Sequence, residues 1–359
     1  MLKRISKTIG YLLYLFVVVF IGLEIFLHIY NPFPFRQKAD KIILPRNRTM
    51  IFSNDKIPVL EKKTVHKKNS LGFRGPEMPS HFNDLQSYIA VGGSATECFF
   101  LSDSNCWTNR LANTLRNGDT TVWINNAGYQ GHSTYGHLIL INDYIKQLHP
   151  KHILLMAGYN EINRGDIMKD ESVLKNSSRN STWGWIKRNS EVINIMINIQ
   201  RRIMADKLSV TDGYLDLAKK RDRQLVLTEH QIDSTCMAQQ PLVEAYKRRL
   251  TLIIDTCLSN KIDPILVTQP ILFGKGIDSV TGVDLEKYKI SDKYNGLLWW
   301  RLLETYNDVT RSMASEKNLS LIDLAKEMPK SSLYFYDICH FSNEGCKKVS
   351  EILAGHIAD

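Results

Sequence analysis

Ser94 stands in VGGSATE, just after an apolar, β-branched run and just before a segment that reads as helix. Backbone N–H groups at the start of a helix point toward a residue in that place. A serine hydroxyl needs a base, and a group that orients the base, before it can attack a carbonyl. Near the other end of the chain, YDICHFSNEG supplies Asp337 and His340, three residues apart in a loop. At that spacing the carboxylate can accept from imidazole Nδ1–H, fix the tautomer and leave Nε2 facing the nucleophile. Each feature is ordinary alone, since serine after two glycines is a common turn residue. Together they describe nucleophilic attack on a carbonyl.

Elements must bring these residues together. From about residue 86, short apolar runs alternate with longer amphipathic ones, the pattern of an open parallel α/β sheet. Strands are expected at 87–91, 121–128, 152–158, 264–270 and 320–325. Helices are expected at 105–117, 136–148, 296–318 and 343–357, with others near 183–206 and 239–260. In such sheets ligands bind beyond the carboxyl ends of the strands. Three of the five strand ends run into Gly-bearing polar turns: GGSATE, NAGYQGHS and AGYNEIN.

The set GGSAT, NAGYQG, GYNE and DICH, in this order and on this strand pattern, resembles the SGNH hydrolases, also called GDSL esterases. The four blocks of that family supply Ser, Gly, Asn and His, which match Ser94, Gly128, Asn160 and His340, with Asp337 as the Asp three before His. Upstream, NSLGFRGPE (69–77) resembles a lead-in of membrane-anchored members. The resemblance spans about 69–355. It implies a three-layer α/β/α fold of flavodoxin type, with a five-stranded parallel sheet, and ester hydrolysis or acyl transfer with no metal and no cofactor. It also implies an oxyanion hole built from the backbone N–H of Ser94 and Gly128 and the side-chain amide of Asn160. Two positions depart from the family pattern. Gly93 stands where Asp is usual, and Glu161 stands where Asp is usual. Neither is a triad member, but both make the substrate less readable.

The chain opens with an apolar stretch from Ile9 to Tyr30, interrupted by Glu24 and His28. Those 22 residues extend roughly 33 Å as a helix, enough to span a bilayer core of about 30 Å. No small-residue cleavage pattern follows, so an uncleaved signal anchor is expected over 1–30. A basic spacer and lead-in is expected over 31–80. The hydrolase domain is expected over 81–359, with an insert at about 165–260. The formal charge is +9, yet the first 80 residues hold 14 Lys and Arg against 5 Asp and Glu, while residues 81–359 hold 32 of each. A balanced main domain argues against nucleic acid as partner. The bilayer and a small ester or acylated glycan are the expected partners, with the catalytic domain on the non-cytosolic face. A membrane-tethered esterase is the leading expectation. An acyltransferase using the same triad and a non-catalytic surface protein are the alternatives. Outside the cytosol, Cys98–Cys106 and Cys339–Cys346 are disulfide candidates, with buried free thiols as the alternative. Trp183, Trp185, Trp299 and Trp300 are candidates for an acyl or sugar pocket, with core packing as the competing role.

Overall fold

The computed structural model describes residues 2–30, 32, 37–38, 41–55, 57–116, 121–164, 182–207 and 213–358. In chain order the elements run α1 (Leu2–Ile29), β1 (Gln37–Lys38), β2 (Lys41–Ile42), β3 (Arg48–Ser53), β4 (Lys63–Lys68), β5 (Gln86–Gly92), α2 (Ser94–Glu97), α3 (Trp107–Arg116), β6 (Val122–Asn126), α4 (Thr134–Leu140) and β7 (His152–Met156). They continue with α5 (Thr182–Asn189), α6 (Glu191–Lys207), α7 (Glu229–Met237), α8 (Gln240–Ser259), β8 (Asp263–Val267), α9 (Gly296–Glu316), β9 (Leu321–Ile322), α10 (Leu324–Glu327) and α11 (Asn343–Ala358). The chain divides into two compact units, Pro45–Asp170 with Asp212–Asp359, and Met1–Leu44 with Glu171–Thr211.

The larger unit holds a five-stranded sheet in the order β6-β5-β7-β8-β9. Every neighbouring pair in it is parallel. All five expected strands are present, and the fold class is the α/β arrangement anticipated. Residues Ser87–Gly92 of β5 and Ile153–Met156 of β7 are buried without alternation. That is the mark of central strands covered on both faces. Helix α3 packs against α11, while α4 and α9 pack against α8. The strand order reverses direction between β5 and β7, which makes their carboxyl ends the crevice of the sheet.

The spacer expected over 31–80 is not a spacer from residue 48 onward. Strands β3 and β4 form an antiparallel hairpin, with Arg48 opposite Lys68 and Ser53 opposite Lys63. Beyond it, Arg74 exchanges backbone hydrogen bonds with Asn126 at the end of β6, at 3.0 and 2.8 Å. The hairpin was hidden because the buried face of β4 is Thr64, His66 and Lys68. Polar residues on the inward side leave no hydropathic alternation to read. Helix α7 was also not anticipated, although Thr228 and Gln231 form a reciprocal capping box at its start.

The smaller unit contains α1, the short β1–β2 hairpin, α5 and α6. Arg4–Ile29 is long and apolar enough to cross a bilayer. Glu24 on α1 accepts hydrogen bonds at the N-terminus of α6. Part of the expected insert thus groups with the N-terminal helix, while 212–260 groups with the sheet.

Candidate active site

Strand β5 ends at Gly92, and the chain turns at once into the single turn of α2, whose first residue is Ser94. A serine at the first helical position has an N–H with no intrahelical acceptor. Its hydroxyl is partly exposed and lies 2.7 Å from His340 Nε2. On the other side of the ring, His340 Nδ1 is 2.6 Å from Asp337 Oδ2. The other carboxylate oxygen, Oδ1, accepts the backbone N–H of Cys339 at 3.0 Å and of His340 at 2.8 Å. The loop therefore fixes the carboxylate, and the carboxylate fixes the imidazole. The Tyr336 ring stacks on His340 at 5.5 Å between centroids and 11° between planes. Burial alone would lower the His340 pKa. The Cys339 sulfur and the Asp337 carboxylate outweigh it and hold the imidazole well above its ordinary value. Asp337, Cys339 and His340 also form a cluster of potential metal donors. In the tautomer whose Nε2 accepts from Ser94, Nδ1 carries the proton given to Asp337, so the nitrogen nearest Asp337 has no lone pair for an ion.

The opposite side of Ser94 is built by the turns after β6 and β7. Asn160, just beyond β7, donates from Nδ2 to the carbonyl of His132 at 2.8 Å. An amide carries two hydrogens, so one remains. A Cβ at position 93 would sit 2.5 Å from Asn160 Nδ2. A side chain at 93 would press on the amide and shift it. Gly128 is placed differently from the expectation. Its N–H donates to Asn126 Oδ1 at 2.8 Å, and a Cβ on it would meet the Glu97 nitrogen at 2.4 Å. Its lack of a side chain lets the end of α2 close onto the β6 turn. The same turn carries Gly131 at φ +73°, with open space where a Cβ would be.

Two buried arginines brace this framework, and neither was singled out from the sequence. Arg74, from the NSLGFRGPE segment, is 1% exposed. It donates to the carbonyls of Glu97, Cys98 and Leu101 and, through Nε, to Asp103 at 2.7 Å. It thus satisfies the carbonyls at the end of the nucleophile's helix. Arg249, on α8, donates to Glu161 Oε2 and to Thr134 Oγ1, each at 2.8 Å. Glu161 Oε1 accepts the Thr134 N–H and hydroxyl at 2.6 and 2.7 Å. The Asn160 turn is thereby tied to the start of α4, two residues beyond the His132 carbonyl that Asn160 contacts.

A recess of about 180 Å³ opens beside Ser94 and His340, walled by Cys98, Phe100, Leu101, Tyr336 and Phe341. Trp299 and Trp300 are not part of it; they pack against the hydrophobic core. All six cysteines are free; Cys98 Sγ lies 3.7 Å from Cys346 Sγ, and Cys98 also interacts with Cys106.

No family model matches this sequence, and no curated protein matches it. Several solved structures are similar to it. One is an acetyl xylan esterase, 14% identical, with 76% of this chain and 99% of that one covered and a TM-score of 0.44. A second is an acetylxylan esterase from Geobacillus stearothermophilus, 11% identical, with 76% and 94% covered and a TM-score of 0.43. A third is a psychrotrophic esterase from Pseudoalteromonas, 12% identical, with 76% and 97% covered and a TM-score of 0.41.

Proposed function

We propose that this chain is a serine esterase that cleaves a carboxylic ester through an acyl-Ser94 intermediate. The observation that carries the reading is the hydrogen-bonded run from Asp337 through His340 to Ser94, joined from opposite ends of the sequence at 2.6 and 2.7 Å. Ser94 Oγ attacks the ester carbonyl as His340 Nε2 takes its proton. Asp337 stabilises the imidazolium that forms. The tetrahedral oxyanion is met by the Ser94 N–H and the remaining hydrogen of the Asn160 amide. His340 then protonates the leaving alcohol. Water, activated by the same imidazole, releases the acid.

The acyl group is short. The small recess beside Ser94 is walled by bulky apolar side chains, Phe100, Leu101, Tyr336 and Phe341, which leave little room for a long chain. An O-acetyl ester on a glycan is the substrate class proposed. Helix α1 tethers the enzyme to a bilayer, with the catalytic unit on the non-cytosolic face.

The test uses the full chain in detergent with p-nitrophenyl acetate, butyrate and octanoate. kcat/KM is expected to fall as the chain lengthens. Ser94→Ala and His340→Ala are each expected to lose about 10³-fold or more in kcat. Equal rates for wild type and Ser94→Ala would remove Ser94 from the reaction. Release of the alcohol without equivalent free acid, when a sugar is present, would show transfer to a hydroxyl instead.

A further inference from the structure

Glu24 lies six residues before Tyr30, inside the apolar stretch, and so about 9 Å along the helix from its end. A lone carboxylate at that depth costs free energy. This one is partnered. It accepts the Ser190 hydroxyl at 2.9 Å, the Val192 N–H at 3.2 Å and the Glu191 N–H. Those N–H groups are the ones the first turn of α6 leaves without intrahelical acceptors. The start of α6 is thereby held at the level of Glu24, within the apolar length of α1. Asn194, fully buried, donates to the carbonyls of Lys187 and Ser190 at 2.8 and 2.7 Å. That fastens the end of α5 to the first turn of α6. The Glu191 carboxylate pairs with Lys38.

Both helices expose large apolar side chains. Trp185 is 61% exposed, Met196 65% and Ile199 54%. Met196 and Ile199 are one helical step apart, and partly exposed Val192 and Ile195 continue their stripe. We infer that α5 and α6 lie in the surface of the bilayer that α1 crosses, with Trp185, Met196 and Ile199 in contact with lipid. The occupant is lipid because the stripe continues from a helix end bonded inside the apolar span. A tryptophan at the membrane–water boundary also fits that placement. The inference rests on α1 crossing a bilayer, and it gives residues 182–207 the role of a second membrane contact.

The experiment uses the full chain in phosphatidylcholine vesicles, on a Cys236→Ser background because the other five cysteines are buried. Single variants Phe16→Cys, Met196→Cys, Ile199→Cys and Leu333→Cys carry a nitroxide spin label. Collision with oxygen is compared with collision with a water-soluble nickel chelate. Labels at 16, 196 and 199 are expected to favour oxygen severalfold over the label at 333, which is on the sheet unit. Chelate access at 196 and 199 equal to that at 333, with 16 still in lipid, would overturn the inference and leave the anchor intact. Chelate access at 16 as well would overturn both. Protection at 196 and 199 that appears without lipid and grows with protein concentration would assign the stripe to a second copy of the chain, and would also overturn it.

Discussion

His340 is the base of the proposed reaction only when its ring is neutral, and its pKa is held well above the usual histidine range. kcat/KM should therefore rise with pH through a value above about 6.5, the unperturbed histidine pKa. Asp337→Asn removes the anion, so the acid limb should move to lower pH while kcat falls by about 10⁴ through loss of the right tautomer. Initial rates from pH 5 to 10 check both statements. Gly93→Ala tests the second half of the site. Its new Cβ would stand 2.5 Å from Asn160 Nδ2, so kcat should fall by about 10²–10³, the loss typical of one oxyanion donor. A variant with wild-type kcat would show that Asn160 does not meet the oxyanion. At this scale much was legible in the sequence. Asp337 and His340 announce themselves because their geometry is local, three residues in one loop. Gly128 does not, because a neighbouring side chain, Asn126, claims its N–H and no spacing rule carries that information.

The elements set the positions of those residues through contacts that are far apart in sequence. The Arg249–Glu161 pair is 1% exposed on both sides. Breaking a buried ion pair by removing one partner typically costs about 3–5 kcal/mol, because the remaining charge stays desolvated. Arg249→Met should lower unfolding free energy by about that amount in urea titration, and adding Glu161→Gln should restore part of it. A loss within about 0.5 kcal/mol would mean that the pair does not hold the Asn160 turn. Arg249 and Arg74 were not legible beforehand, since each reaches partners 23 to 115 positions away. The five parallel strands were legible, because burial on both faces makes continuous apolar runs. The β3–β4 hairpin was not, because its inward residues are polar.

For the whole molecule, the +9 charge resolves by region rather than by partner. Residues 81–359 are balanced, and the excess lies on the N-terminal helix and on the segments that follow it. Of those segments, β3, β4 and Arg74 turn out to be part of the catalytic framework, so charge there is not evidence of a membrane-facing tether. A chain lacking residues 1–30 should lose its resistance to alkaline carbonate extraction from membranes; retention would place the anchor elsewhere. The central claim is that Ser94 is an activated nucleophile. Its most direct test is labelling of the detergent-solubilised full chain with a fluorophosphonate, followed by peptide mapping. The account predicts one labelled peptide carrying the adduct on Ser94, and no labelling in Ser94→Ala or after acid inactivation of His340. An unlabelled wild-type chain under conditions that label other serine esterases, or an adduct on another residue, would contradict it.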